Sequence, residues 1–197
     1  MEIKRKMKAI IWTKYGDPSG LELQEIDKPS PKDNEILIKV CAASVMAGDS
    51  EMRRLKLPMF LGYPMRFYTG IRKPSRLRIL GQDFSGEIVD KGNDVEKYEI
   101  GDQIFGNTGF SFGSYAQYNC LAADDKEMSL LLKPSNISHE EAASIPTGAV
   151  NALYFIKLGN IKPGQHVLIN GAGGSIGTIA VQYAKHSGAE VTAVDST

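Results

Sequence analysis

The chain has 197 residues, 42% of them hydrophobic, and its 23 basic and 23 acidic side chains give a formal net charge of zero. This length allows one large or two small domains, and the balanced charge gives no reason to expect nucleic acid or a membrane as a partner. The chain has only two cysteines, so we exclude a disulfide scaffold and a standard structural zinc site. It has no apolar run of about 18 residues, so we exclude a membrane span. Because it also has no secretory signal, we predict a cytoplasmic protein.

The first part of the chain is predicted to be rich in short β-strands. Apolar and β-branched residues concentrate in stretches that are separated by turns with Gly, Pro and Asn. The predicted strands cover residues 8–12, 21–26, 35–40, 81–89, 102–105 and 114–120, and a short helix is predicted over 49–56. Many short strands with such turns are typical of a β-barrel or a sandwich.

The character of the sequence changes near residue 133, where helical signals begin. Ser138 and Glu141 have the spacing of a capping box, which predicts the start of a helix. Pro146 is expected to interrupt that helix, because proline lacks the N–H that the helix ladder needs. A second helical stretch is predicted over 147–158, and we include Thr147, at its start, among the candidate cofactor-binding residues.

Residues 166–195 contain a predicted strand, a glycine-rich turn, a helix and a second strand. The strand over 166–170 is followed by the spacing G-x-G-G-x-x-G, and the helix is predicted over 175–187. Glycine lets the chain turn tightly and lie against a pyrophosphate, and the free N–H groups of the first helical turn point at its oxygens. The candidate cofactor-binding residues of this turn are Gly171, Gly173, Gly174, Ser175, Ile176 and Gly177.

Asp195 ends the second predicted strand, over 190–195, and lies 24 residues after Gly171. An acidic residue at about this distance is expected to accept the ribose hydroxyls of a dinucleotide. A carboxylate favours NAD(H) because it repels a 2′-phosphate, whereas Ser196 and Thr197 are candidates to bind one. We therefore predict NAD(P)(H) as the cofactor. The alternative is a glycine-rich turn in an α/β protein of another kind.

Several phrases, in this order along nearly the whole chain, resemble the medium-chain dehydrogenase/reductase superfamily and its zinc-free quinone oxidoreductase branch. They include EILIKVCAASVMAGD, GQDFSGEIV, GSYAQY, LLLKPSNISHEEAASIPTGAVNAL and KPGQHVLINGAGGSIGTIAVQYAKHSGAEV. The resemblance implies an α/β plus β fold, with a GroES-like barrel in residues 1–134. Linker helices and the N-terminal part of a Rossmann domain would occupy 135–197. It also implies a longer chain, so this one is expected to be truncated, with an incomplete cofactor site and uncovered apolar faces.

Zinc-dependent members of this superfamily hold their metal through Cys, His and Cys or Asp. The stretches that match two of these positions have Met46 and Gln82 instead, and the third, residues 144–150, has no cysteine. Methionine and glutamine are poor zinc ligands compared with thiolate and imidazole. The resemblance therefore implies no metal, and hydride transfer to a small quinone or α,β-unsaturated carbonyl in preference to alcohol oxidation.

No proton donor is identified from the sequence. Relatives often have Asn where this chain has Met46, so Met46 either removes a polar group from the substrate side of the cleft or fills the core. Tyr63 and Tyr68, predicted to lie in a loop, are catalytic candidates by location alone, and a packing role is the alternative. Asp49 and Asp83 are expected to hold loop and turn backbone.

Residues 53–78 carry eight basic side chains and no acidic one, interleaved with aromatic residues. We predict a solvated loop whose apolar residues pack on the barrel, or a substrate-gating loop, in preference to a membrane-surface or phosphate-steering patch. Three other functions stay open: an alcohol dehydrogenase, a non-catalytic dinucleotide-binding protein and a membrane-surface protein that uses this segment. A homodimer is also considered.

Overall fold

The structure, a computed structural model, describes residues 5–55, 59–124 and 129–196. The chain divides into two compact units, Met1–Ala143 and Ser144–Thr197. The first is built mainly from antiparallel strands and the second from two helices on a parallel pair of strands. The predicted α/β plus β fold class is confirmed.

The described part of the first unit contains two antiparallel sheets. One pairs β1 with β2, and the other has the strand order β6-β3-β4-β5-β7. The strands are β1 (Lys6–Trp12), β2 (Leu21–Asp27), β3 (Glu35–Ala43), β4 (Asp83–Lys91), β5 (Gln103–Asn107), β6 (Tyr118–Ala122) and β7 (Ser129–Leu132). All six predicted strands are present, but β6 begins at Tyr118 instead of residue 114, and β7 was not predicted.

One hydrophobic cluster of the first unit includes side chains of β3 and β4 in the five-stranded sheet, and another surrounds Trp12. Ile36 and Ile38 on β3, and Phe84 and Ile88 on β4, are almost completely buried. Side chains two or four positions apart in a strand point to the same face, so Ile36 and Ile38 share one face of β3. Leu37, on the other face of β3, is also buried. Burial of each such side chain stabilises the fold by roughly 1.5–3 kcal/mol.

Among its described residues, the first unit has three α-helices: α1 (Ala47–Arg54), α2 (Met59–Thr69) and α3 (His139–Ala143). The capping box that starts α3 is confirmed, since Ser138 N donates to Glu141 Oε2 (2.8 Å) and Glu141 N donates to Ser138 Oγ (3.1 Å). His139 Nδ1 lies 2.8 Å from Ser85 Oγ, which connects α3 to β4. Because α3 packs on the sheet, the compact unit extends past residue 134.

The prediction of a loop over residues 53–78 is wrong for residues 59–69, which form helix α2, although Leu77 packs on the barrel core as predicted. On α2, Phe60, Tyr63 and Phe67 are 76%, 66% and 66% exposed instead of packing on the barrel. Thr69 is the side chain of α2 that faces the barrel. It is buried, and its Oγ1 atom lies 2.6 Å from the Tyr15 hydroxyl. A short polar side chain packs closely there, and the bulky rings are left outside. Lys56 lies outside the described residues.

The second unit contains α4 (Pro146–Gly159), β8 (His166–Asn170), α5 (Ser175–His186) and β9 (Glu190–Val194). The strands β8 and β9 pair in parallel, from His166 opposite Glu190 to Asn170 opposite Val194. The predicted break at Pro146 is confirmed, and proline stands at the start of α4, where its missing N–H costs nothing. Helix α5 ends just before Gly188, whose φ of 80° is typical of the glycine that follows a helix.

Apolar side chains of the second unit stay uncovered, as predicted. Leu168 on β8 is 68% exposed, and Val194 on β9 is 44% exposed. Tyr154, Phe155 and Leu158 on α4 are also exposed. Strands of a parallel sheet are normally covered on both faces, so a two-stranded sheet cannot bury these side chains by itself.

Candidate functional site

The glycine-rich turn between β8 and α5 has the geometry that its sequence predicts. Gly171 has φ of 77°, in the left-handed region that glycine adopts without strain. The N–H groups of Gly171 and Ala172 both donate to the Val194 carbonyl, at 2.8 and 3.0 Å. These bonds hold the turn against the carboxyl end of β9, the edge of a parallel sheet where ligands bind in open α/β folds.

Gly177 allows α5 to begin close to this turn. A Cβ atom at position 177 would overlap the Gly171 carbonyl oxygen and would lie 2.7 Å from the Ala172 Cα. Both are backbone atoms, which cannot rotate away as a flexible side chain can. A Cβ at Gly174 would meet its nearest neighbour, the Gly171 carbonyl oxygen, at 3.4 Å, an ordinary contact. The two glycines therefore have different roles in the same turn.

The start of α5 presents unpaired donors. The first N–H groups of any α-helix have no acceptor within the helix, and here they belong to Ser175, Ile176 and Gly177. Gly174 occupies the N-cap position and makes no side-chain cap bond, and the first turn has no acidic residue. The helix dipole adds positive potential at this end. The site can therefore bind an anion such as a pyrophosphate.

Asp195 lies against the same turn. It follows β9 directly and is exposed, and a Cβ built at Gly173 would overlap its Oδ2 atom. Asp195 Oδ1 accepts a hydrogen bond from the N–H of Ser196 at 2.9 Å. The carboxylate is thus next to the glycine-rich turn. Thr197, the other predicted phosphate-binding candidate, lies outside the described residues.

Thr147 is close to this site because the starts of α4 and α5 pack together. A Cβ at Gly148 would lie 2.7 Å from the Ser175 carbonyl oxygen, so the two helix backbones touch here. Thr147, the preceding residue, is half-buried, and its carbonyl accepts a bond from Asn151 Nδ2 at 2.8 Å. The structure thus brings all predicted cofactor residues to one region of the second unit, while their contacts with a cofactor stay a prediction.

In the first unit, the carboxylate of Asp49 connects three chain segments. Asp49 is buried; its Oδ2 accepts from Met46 N (3.0 Å) and the Tyr115 hydroxyl (2.8 Å), and its Oδ1 accepts from Gly81 N (3.2 Å). Burial and this carboxylate raise the pKa of Tyr115 well above its usual range, so the hydroxyl keeps its proton. The expected backbone-holding role of Asp49 is confirmed, but Tyr115 was not foreseen.

Asp83 holds its turn indirectly. It is buried, and its Oδ1 accepts a bond from Asn107 Nδ2 at 2.6 Å, while Asn107 Oδ1 accepts from Gly109 N at 2.7 Å. Gln82 Nε2 donates to the Gly109 carbonyl at 2.6 Å. The sequence alone gives little indication of the bond between Asn107 and Asp83. The two residues are far apart in the chain and become neighbours when β4 pairs with β5.

None of the catalytic candidates from the sequence is fully buried. Met46 is half-buried at the N-terminus of α1, and Tyr63 is exposed on α2 instead of lying in a loop. The hydroxyl of Tyr68 donates to the Phe110 carbonyl at 2.8 Å. Among the described residues, no three His, Cys, Asp or Glu side chains lie close enough to hold a metal ion. In the same part of the chain, no helix is long and apolar enough to cross a bilayer.

Comparison with known proteins identifies a domain family and relatives that this chain resembles. Residues 32–134 match the alcohol dehydrogenase GroES-like domain. The chain is 34% identical to NAD(P)H oxidoreductase RTN4IP1, mitochondrial, of Dictyostelium discoideum, over 91% of this chain and 49% of that protein. It is 28% identical to 2-methylene-furan-3-one reductase of Solanum lycopersicum, over 100% of this chain and 49% of that protein.

A solved structure of a related protein has the same fold as this chain. The quinone oxidoreductase from Coxiella burnetii superposes with a TM-score of 0.82 at 34% identity, over 96% of this chain and 56% of that chain. The present chain therefore spans about half the length of the relatives that it matches.

Proposed function

Because this chain belongs to the medium-chain dehydrogenase/reductase superfamily, in its quinone oxidoreductase-like branch, we propose that it serves an NAD(P)H-dependent hydride transfer to a quinone or an α,β-unsaturated carbonyl, without zinc. The main support is the turn after β8, where Gly177 lets α5 begin against the turn and Asp195 lies beside it. The family supports the general reaction, and the names of the relatives cited above suggest the substrate class.

The residues of the second unit have distinct roles in this proposal. The N–H groups at the start of α5 bind the pyrophosphate, and Asp195 accepts the ribose hydroxyls. The nicotinamide, when bound, supplies the hydride. The chain's own contribution is to hold the adenosine half of the cofactor at the end of the parallel strands.

The absence of zinc is proposed from the chemistry of the donor atoms. At the positions where zinc-dependent relatives have thiolate and imidazole, this chain has the thioether of Met46 and the amide of Gln82. The Gln82 amide is already bonded to the Gly109 carbonyl, so it holds backbone in this structure. Neither side chain can supply the negative charge or the basic nitrogen that a Zn²⁺ site needs.

We also propose that these 197 residues alone do not complete the cofactor site and are inactive. The exposed side chains of Leu168 and Val194 show that the parallel sheet lacks cover. The relatives that this chain matches are about twice its length.

The test compares these 197 residues with the longest product that the gene encodes. We expect NADPH or NADH oxidation with 1,4-benzoquinone or an enone only in a longer product, and cofactor binding by calorimetry that is much weaker for the 197 residues. Turnover by the 197 residues would contradict their proposed inactivity. Alcohol oxidation that requires added Zn²⁺ would contradict the zinc-free reaction, and cofactor binding without turnover in a longer product would favour a non-catalytic protein.

Asp195→Asn is expected to shift the cofactor preference towards NADPH. The carboxylate would repel a 2′-phosphate, and removing a like charge is worth about 2 kcal/mol, or roughly thirtyfold in the ratio of NADPH to NADH affinity. Calorimetric titration with both nucleotides measures the ratio. Glu190→Gln, which removes an exposed carboxylate at the opposite end of β9, is the matched control. An equal shift in both variants would show that Asp195 does not contact the sugar.

A further inference from the structure

Helix α2 exposes an aromatic surface. Phe60, Tyr63 and Phe67 are 76%, 66% and 66% exposed, and they share one helix face because they are three and seven positions apart. Tyr68 and, just after the helix, Ile71 are also exposed at 46% and 64%. Monomeric proteins rarely expose contiguous apolar surface of this kind without an interaction that uses it.

Polar contacts hold the C-terminal part of α2 and the residue that follows it. The Tyr15 hydroxyl bonds to Thr69 Oγ1 at 2.6 Å and also to the Gly70 carbonyl. The Arg66 guanidinium lies over the Tyr15 ring, 4.7 Å from its centre. Arg76 Nη1 donates to the Phe67 carbonyl at 3.0 Å. The helix is therefore docked on the barrel through its polar side, with its aromatic side turned to solvent.

Exposed basic residues precede and follow α2 along the chain. Arg72, Lys73, Arg76 and Arg78 follow the helix and are exposed, and Arg54 is exposed at the end of α1. The sequence has no acidic residue between positions 53 and 78, although the whole chain is neutral. The basic charge is thus concentrated in the segment that carries the exposed rings, and the contact of Arg76 with the Phe67 carbonyl brings one of these cations to the helix itself.

We propose that α2 and the basic residues that follow it bind the surface of an anionic lipid bilayer. Aromatic side chains are stable at the level of the lipid headgroups, and nearby Lys and Arg side chains pair with anionic headgroups. A helix that lies in the interface with apolar side chains on one face and cations beside them is typical of peripheral membrane binding. For this segment, the proposal replaces the expectation from net charge that no membrane is a partner. It does not depend on the proposed reaction.

Vesicle co-sedimentation of the 197-residue chain tests this proposal. The vesicles contain phosphatidylcholine alone or phosphatidylcholine with phosphatidylserine, at low and high salt. We expect binding to the anionic vesicles at low salt, weak binding to the neutral ones, and loss of binding as salt screens the charges. The double variants Phe60→Ser with Phe67→Ser, and Arg72→Glu with Lys73→Glu, are each expected to reduce the partition coefficient about tenfold or more.

The controls change equally exposed side chains elsewhere. Leu23→Ser removes an apolar side chain that is 65% exposed on β2, and Lys157→Glu with Lys162→Glu reverses two exposed charges of the second unit. These variants are expected to bind as the original chain does, and near-ultraviolet circular dichroism should show that every variant is folded. Equal binding to neutral vesicles would overturn the proposal, as would binding that survives both α2 variants. Self-association that disappears in the Phe60→Ser with Phe67→Ser variant, without vesicle binding, would identify a second copy as the occupant.

Discussion

Gly177→Ala is expected to destabilise the second unit by about 2–3 kcal/mol and to weaken cofactor binding at least tenfold. The added Cβ would overlap the Gly171 carbonyl oxygen and press on the Ala172 Cα, and relief requires the helix or the turn to move. The sign of the effect is diagnostic, because a Gly→Ala change inside an unobstructed helix stabilises it by about 1 kcal/mol. Hydrogen exchange of the β8 and α5 amides measures the local stability.

Gly174→Ala is the matched control within the same turn. Gly174 has φ of −74° and ψ of 166°, which alanine adopts freely, and its nearest neighbour would be 3.4 Å from the new Cβ. Alanine is a poorer N-cap than glycine, so a loss below about 1 kcal/mol is expected. If the two variants behave alike, the close approach of α5 to the turn is not what Gly177 provides. Cofactor affinity is compared in the longest gene product, where binding is strong enough to measure.

The sequence predicted the second unit almost residue by residue, because its signals are local. Glycines mark the start and the end of α5, and the predicted bounds of β8 agree with the structure. Asp195 could be placed beside the turn because the carboxyl ends of neighbouring parallel strands meet at one edge of the sheet. Spacing along the chain was sufficient to assemble this site.

The sequence was much less informative about α2. Gly62 and Pro64 lower the helix propensity of this segment, so its apolar residues suggested a loop packed on the barrel. What decides its conformation is the contact of Thr69 and Arg66 with Tyr15, more than fifty residues away in the chain. Local helix propensity does not depend on such a distant contact. The contact with Tyr15 buries the opposite side of the segment from the one that was predicted.

Asp49→Ala is expected to lower the stability of the first unit by about 3–5 kcal/mol, since it removes the acceptor of the Met46 and Gly81 N–H groups and leaves the Tyr115 hydroxyl only its longer bond to the Ser44 carbonyl, at 3.3 Å. The Gly81 N–H group is buried, and the other two donors are half-buried, so water replaces the lost bonds only in part. For a unit of this size, the loss corresponds to a decrease in Tm of about 10 °C. Thermal unfolding followed by circular dichroism provides the measurement.

Two further variants test whether the loss of stability comes from the Asp49 carboxylate or from any substitution in α1. Tyr115→Phe removes one of the three donors and keeps the ring, so a smaller loss of about 1–2 kcal/mol is expected. Glu51→Ala removes an exposed carboxylate of the same helix, and its effect should stay within about 0.5 kcal/mol. A graded series, with Asp49→Ala largest and Glu51→Ala smallest, follows only if the Asp49 carboxylate connects α1, Gly81 and Tyr115. Equal effects of Asp49→Ala and Glu51→Ala would show that these three segments are held together by packing alone.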